Sequence, residues 1–316
     1  MLLSVIVPCF NEEGNIDLFY EETVKELGDL MPDTELIFVN DGSRDATMEK
    51  LRALCQRAEY RVRVVSFSRN FGKEAALLAG LREAQGDFTS IIDADLQQKP
   101  SYIVQMLDIL NEHPEYDAVA AYQEERKEGL VLSLFKKAFY KVIDSLTDVK
   151  IMQAASDFRV LRRPVVDAIL ELPEKCRFSK GIFAWVGFET YYMAYVVEER
   201  ASGTSKWNFW KLMKYAFDGI IAFSNKPLIM SSVAGLFITG LSLLYLIIIV
   251  VKTIIWGDPV AGFPTLACLI LMLSGIQLLS VGILGQYMAK NYTESKERPV
   301  YIVKEELDNG SQQKIS

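Results

Sequence analysis

The chain has 316 residues, half of them hydrophobic, with 41 acidic against 34 basic side chains and a net charge of −7. That length holds one soluble domain with a full core plus a smaller second region. The acidic balance argues against nucleic acid as a main partner, since phosphate-backbone binding needs a basic surface, and four scattered cysteines (Cys9, Cys55, Cys176, Cys268) with no CxxC pair indicate neither a zinc site nor a disulfide framework.

The first segment, LSVIVPCF, lacks a basic n-region and a small-residue cleavage site and so reads as a strand, not a signal peptide. It is followed by four more β-branched runs, ELIFVN, VRVVSF, FTSIID and DAVAAY, separated by stretches of helical period. This alternation over the first 122 residues predicts an α/β domain with a largely parallel sheet covered by helices on both faces. Ligands of such sheets sit at the carboxyl ends of the strands. The polar clusters fall at those ends: Asn11 and Glu12, then Asp41, then Arg69 and Asn70, then Asp93 and Asp95.

Asp93-Ala94-Asp95 with Gln97 is the sharpest local signal. Two carboxylates ending a buried strand, with no lysine or arginine following before Lys99, repel one another unless a cation bridges them. Hard oxygen ligands select magnesium or manganese, which also bind substrate phosphates; a merely acidic solvated loop is the alternative. Asp41 stands where a side chain could accept hydrogen bonds from a base or ribose, with Pro8, Phe10 and Glu12 as the opposite wall. Helix capping accounts for Asp45. His113, the one histidine, sits in NEHPEYD at a helix end and reads as a cap.

Two amphipathic helices are predicted further on, at residues 130–146 and 207–223, the second basic, aromatic and suited to the membrane interface. Between positions 200 and 226 five basic residues (Arg200, Lys206, Lys211, Lys214, Lys226) face one acid, Asp218, a pattern that favours anionic headgroups. Residues 228–251 and 259–289 then carry no charge. Each run exceeds the ~18 apolar residues that cross a bilayer, so both read as transmembrane helices. Lys290, Lys296 and Arg298 follow the second, and positive-inside places both flanks in the cytoplasm. Lys252 opposes this mildly and can snorkel. Gly235, Gly240, Gly275, Gly282 and Gly285 suggest close helix approach. The division expected is a catalytic domain at 1–205, a juxtamembrane helix at 206–226, the two spans at 227–289 and a cytoplasmic tail at 290–316, with residues 309–316 disordered.

Taken together, PCFNEE (8–13), NDGSRD (40–45), RNFGKEAA (69–76), DADLQQKP (93–100) and SDFRVLRR (156–163) resemble the inverting GT-A transferases of glycosyltransferase family 2. Within it they are most similar to the polyprenyl-phosphate branch that contains dolichyl-phosphate mannose synthase and bactoprenol glucosyltransferase. RFSKGIFAWVGF (177–188), ERASGTSKW (199–207) and the two spans extend the resemblance to about Met288.

The resemblance implies a Rossmann-like GT-A domain that moves a hexose from a nucleotide-sugar to polyprenyl (undecaprenyl) phosphate with Mg2+ or Mn2+. Pro8, Phe10, Glu12 and Asp41 would hold base and ribose, with Lys73 beside them. Asp93, Ala94 and Asp95 would meet the metal and diphosphate, with Gln97 near. Asp157 would stand beside acceptor and sugar, and Arg126, Arg200 and Lys206 would close over the donor diphosphate and acceptor phosphate. UDP-glucose is the first donor implied and GDP-mannose the second, and a homo-oligomer is expected. A processive synthase would need a QxxRW motif and more spans, and neither occurs in this sequence; a non-catalytic scaffold sensing nucleotide-sugar would not need Asp41, Asp93, Asp95, Asp157 and Arg200 together.

Overall fold

In the first strand, β1 (Leu3–Cys9), almost every side chain is buried, as a central strand covered on both faces requires. A computed structural model of the protein describes residues 3–123, 152, 155–196, 224, 226–256 and 262–311. Beside β1 lie β2 (Thr34–Asn40) and β4 (Phe88–Ile91), both parallel to it, and β3 (Arg61–Phe67) continues beyond β2. The helices between these strands are α1 (Ile16–Leu27), α2 (Thr47–Arg57) and α3 (Lys73–Glu83). After β4 come α4 (Ser101–Glu112), β5 (Ala118–Gln123), β6 (Ala155–Arg162), α5 (Arg163–Glu171), α6 (Ser179–Trp185) and β7 (Thr190–Tyr195).

The sheet has eight strands in the order β7-β5-β6-β4-β1-β2-β3-β8, where β8 is Val303–Asp308. The expectation of a largely parallel sheet needs refinement. β6 is antiparallel to both β4 and β5, and β8 is antiparallel to β3, so the sheet is mixed, with the other strands pointing one way.

Strand alternation divides the core. Leu3, Val5, Val7, Leu36 and Phe38 pack with Phe19 of α1, Leu51 of α2 and Met106 of α4, whereas Ile6, Ile37 and Val39 pack with Ala76 of α3, Val166 of α5 and Ile182 of α6. Gly80 belongs to the second face: a Cβ there would stand 2.2 Å from Ile6 Cγ2, so α3 rides directly on β1.

The end of the chain differs from expectation. Residues 303–308 complete the sheet, and Asn309–Ser311 form a short 3-10 turn where disorder was expected. Asn309 Oδ1 accepts from Val62 N at 2.9 Å, while its Nδ2 donates to Tyr60 O at 2.9 Å. Tyr301 stacks on Phe67 with ring centroids 4.8 Å apart.

Between β7 and β8 the chain makes two long helices, α7 (Lys226–Trp256) and α8 (Phe263–Ser295). Their apolar residues point outward: Leu236 is 76% exposed, Ile254 79% and Leu278 72%, a pattern a water-facing helix avoids. Among the described residues one segment, Met272–Ser295, is long and apolar enough to cross a membrane, and Lys226–Leu241 is apolar but shorter. The five glycines do not mediate close packing of this pair, since among the described residues nothing lies within 4 Å of a Cβ built on any of them. The predicted amphipathic helices at 130–146 and 207–223 lie outside the described residues.

Candidate active site

The loops after β1 and β2 are built as one unit. Asn11 takes a left-handed backbone, φ 56°, which its short polar side chain tolerates. Its Oδ1 accepts from Arg44 N at 2.9 Å and its own N donates to Ser43 Oγ at 3.0 Å. Glu12 N donates to Thr47 Oγ1 at 2.8 Å, and Glu12 Oε2 accepts from Asn15 Nδ2 at 2.6 Å. Asp45 Oδ1 accepts from Thr47 N at 3.1 Å in a turn just ahead of α2, whose N-cap is Ala46 and not Asp45 as expected. Pro8 pairs with Val39 inside the sheet, so it and half-buried Phe10 form the floor beside this loop pair.

Asp41 has a structural task that the sequence did not reveal. Its buried carboxylate accepts from Phe71 N at 2.7 Å, from Gly72 N at 3.0 Å and from Asn70 Nδ2 at 2.9 Å. Burial raises its pKa, and the two backbone donors pull the other way. The adjoining Gly42, φ +62°, leaves no room for a side chain, since a Cβ would stand 2.2 Å from Arg69 C. Asp41 thus fixes the loop that launches α3.

The first residue of α3 is Lys73. Its ammonium stands 2.8 Å from Asp93 Oδ1 and 2.8 Å from Asp157 Oδ2, joining the end of β4 to the middle of the rim. The acid pair is therefore not without a basic neighbour, as its sequence context suggested; the cation arrives from an adjacent element. Burial alone would lower the Lys73 pKa, but Asp93 and Asp157 hold it far above the ordinary lysine value. Burial likewise pushes Asp157 up, and Lys73 and Lys180 outweigh it, holding the carboxyl at about 2. Lys73 remains 41% exposed and faces the space above the strand ends.

Asp93 and Asp95 flank buried Ala94. Asp95 Oδ1 accepts from Gln97 N at 3.2 Å, a tight turn that places Leu96 at φ 58°. Among the described residues no group of three or more His, Cys, Asp or Glu side chains is placed to hold a metal. Two carboxylates with open rim space fit an ion of the magnesium kind, which keeps waters and takes substrate phosphates as its remaining ligands.

Three residues that the sequence reading passed over complete the site. Glu74 reaches from α3 to the start of α6, accepting from Ser179 N at 2.8 Å and from the Ser179 hydroxyl. Arg159, two residues after Asp157 on the same face of β6, donates to Ser156 O at 2.9 Å and lies 3.5 Å over the Phe183 ring. Lys180, in α6, is half-buried; burial lowers its pKa and Asp157 opposes that. Both basic residues lie in the SDFRVLRR and RFSKG motifs, where basic residues among aromatics were the available signal. His113 is the C-cap of α4, its N donating to Ile109 O at 2.9 Å, as expected. Arg126, Arg200 and Lys206 lie outside the described residues.

A family model described as glycosyl transferase family 2 matches residues 4–170, more than half the chain and every rim residue from Pro8 to Asp157. The chain belongs to glycosyl transferase family 2. It is a glycosyltransferase, and the scaffold alternative falls away. This family member is 41% identical to the putative glycosyltransferase CsbB of Bacillus subtilis over 96% of its own length and 92% of that protein's. It is 42% identical to the bactoprenol glucosyl transferase of Shigella phage SfV, over 97% of this chain and 99% of the other. Among solved structures it is similar to the mannosyltransferase PcManGT of Pyrobaculum calidifontis, determined with GDP-Man and Mn2+, at 18% identity and a TM-score of 0.49 over 90% of this chain and 86% of that one.

Proposed function

We propose that the chain transfers a hexose, with UDP-glucose as the first donor and GDP-mannose as the second, to polyprenyl phosphate at the cytoplasmic face of a membrane. The observation that carries this reading is the clamp between α8 and the site. Glu294, near the end of the apolar helix, accepts from Lys175 N at 3.0 Å and Cys176 N at 2.7 Å, in the loop leading into the helix that bears Lys180. A catalytic rim tied this closely to an apolar helix suits an acceptor that arrives in the membrane. The relatives named bactoprenol glucosyl transferase support the same acceptor and sugar.

Two spans fit the path of the chain. Ser224 O accepts from Tyr287 Oη at 2.5 Å, so the start of α7 lies beside the last turns of α8, and β8 returns to the sheet that the chain left. A return to the same side needs an even number of crossings. A homo-oligomer, by family resemblance, is part of the proposal.

Asp93 and Asp95 would hold the Mg2+ or Mn2+, which when bound offsets the diphosphate charge. Lys73 brings a fixed positive charge to the same place at no reorganisation cost. Pro8, Phe10 and Glu12 line the donor side with Ala94 and Gln97, and Asp41 acts by holding the 70–72 loop. Asp157, kept ionised by its lysines, is a weak base, and an acceptor phosphate with a second pKa near ~6 is already mostly dianionic at neutral pH. Asp157 therefore orients the two lysines around the reacting oxygen. Direct in-line attack inverts the anomeric carbon, giving a β-linked product from an α-linked donor.

The test is incubation of the purified chain in detergent with undecaprenyl phosphate, Mg2+ or Mn2+ and a panel of nucleotide-sugars, reading lipid-linked sugar by mass spectrometry. Metal-dependent transfer from one donor, reduced roughly 100- to 1,000-fold or more in Asp95→Ala, is expected. Nucleotide binding with no transfer to any prenyl phosphate would refute the acceptor.

A further inference from the structure

Lys180 makes no ion pair with any described residue, and burial depresses its pKa. It borders a cavity of about 240 Å³ between α6 and strands β5 to β7, lined also by Arg159, Phe183, Phe188, Tyr192 and Glu189. One wall is cationic, and Phe183, Phe188 and Tyr192 bring aromatic rings to the others. Glu189, the acidic lining residue, is tied by its backbone to Asp117: Glu189 N donates to Asp117 Oδ2 at 3.2 Å, and Glu189 O accepts from Asp117 N at 2.8 Å.

The cavity is smaller than the ~300–1,000 Å³ that usually encloses a whole ligand, so it suits one part of a longer molecule. Its position separates it from the donor acids. Lys73 bridges Asp93 and Asp157, while the charges that act on Lys180 are those of Asp157, Lys73, Arg159 and Glu74, and neither Asp93 nor Asp95 lines its cavity. A cation lacking an ion pair beside aromatic walls matches an anionic head bonded to a hydrocarbon chain.

We propose that Lys180, with Arg159 beside it, binds the phosphomonoester head of the acceptor, and that Phe183, Phe188 and Tyr192 receive its first isoprenyl unit. This assignment rests on the lipid-phosphate reading above and adds residues to it. The phosphate then lies next to Asp157, with its attacking oxygen turned toward the donor side of Lys73. Arg159 is anchored by backbone carbonyls and the Phe183 ring, so it gives a fixed edge to the site while Lys180 supplies the adjustable charge.

The experiment uses the full chain in detergent with farnesyl phosphate as acceptor and inorganic phosphate as a competitor. Lys180→Met is expected to raise the acceptor KM roughly 10- to 100-fold, the worth of a charged hydrogen bond, while the Kd for the donor nucleotide stays within about twofold and Lys180→Arg restores most of the acceptor affinity. Phe188→Ala should weaken farnesyl phosphate and leave competition by inorganic phosphate unchanged, separating the chain contact from the head contact. A thermal melt of each variant excludes unfolding. An unchanged acceptor KM in Lys180→Met, or a loss confined to nucleotide binding, would overturn this assignment alone. A wild-type chain inactive with every prenyl phosphate would overturn the lipid-phosphate reading and this assignment with it.

Discussion

The two halves of the rim are held together by different means. On the β1–β2 side, Asn11, Glu12, Asp45 and Thr47 bind one another's backbone, and the carboxylate of Asp41 is filled by N–H groups of the loop before α3. On the β4–β6 side, Asp93, Lys73 and Asp157 meet chiefly as charges, and Lys180 has no ion pair among the described residues. The first half is a preorganised frame whose polar groups are largely spent on the protein itself. The second keeps charge facing outward, where phosphates and a metal can meet it. Backbone-bonded polar groups and outward-facing charge are thus separated along the strand ends of one sheet.

The largest break in that contrast should come from Lys73→Met, which leaves two carboxylates facing the same space. Transfer should fall roughly 100- to 1,000-fold, read as kcat in the lipid-transfer assay, and the thermal midpoint at neutral pH should also fall as Asp157 loses its partner. The same variant sharpens a pH signature. Asp157 is held at about 2, below its unfolded value near ~3.9, so its contribution to stability is present above that value and is lost as pH falls through about 2. Without Lys73 the carboxyl rises and the loss begins at higher pH, which melts recorded from pH 2 to 6 will report.

Asp41→Ala attacks the other half. It strips acceptors from buried N–H groups and should lower stability by about 2–3 kcal/mol, with nucleotide affinity falling as the 70–72 loop loosens. A normal melting midpoint in this variant would show that Asp41 does not hold the frame. The smallest effect belongs to Arg52→Ala, which removes a surface pair to Glu305 of β8 at 2.6 Å; about 0.5 kcal/mol or less is expected, within the error of activity measurements.

Much of the frame was legible in the sequence because central strands write themselves as unbroken apolar runs: the five runs from LSVIVP to DAVAAY correspond to β1 through β5. The last strand was not. VKEELD carries two apolar residues among charges, and Glu and Lys have low strand propensity, but a charged strand suits an exposed edge. For the site, residue types at strand ends located the acids, while their partners came from helices distant in sequence. Nothing local to Lys73 announces Asp157, and nothing in NDGSRD announces that its first acid is filled by Phe71 and Gly72. Those pairings are products of the tertiary fold.

The place of β8 also orders events during synthesis. Its residue Glu305 pairs with Arg52, 253 positions earlier in the chain. Chains fold from their N-terminus as they are made, so the open edge of β3 must wait while both long apolar helices are translated. An unpaired edge invites aggregation. A chain stopped before residue 303 would keep that edge exposed, and the sheet of this enzyme closes only once its two long apolar helices have been made.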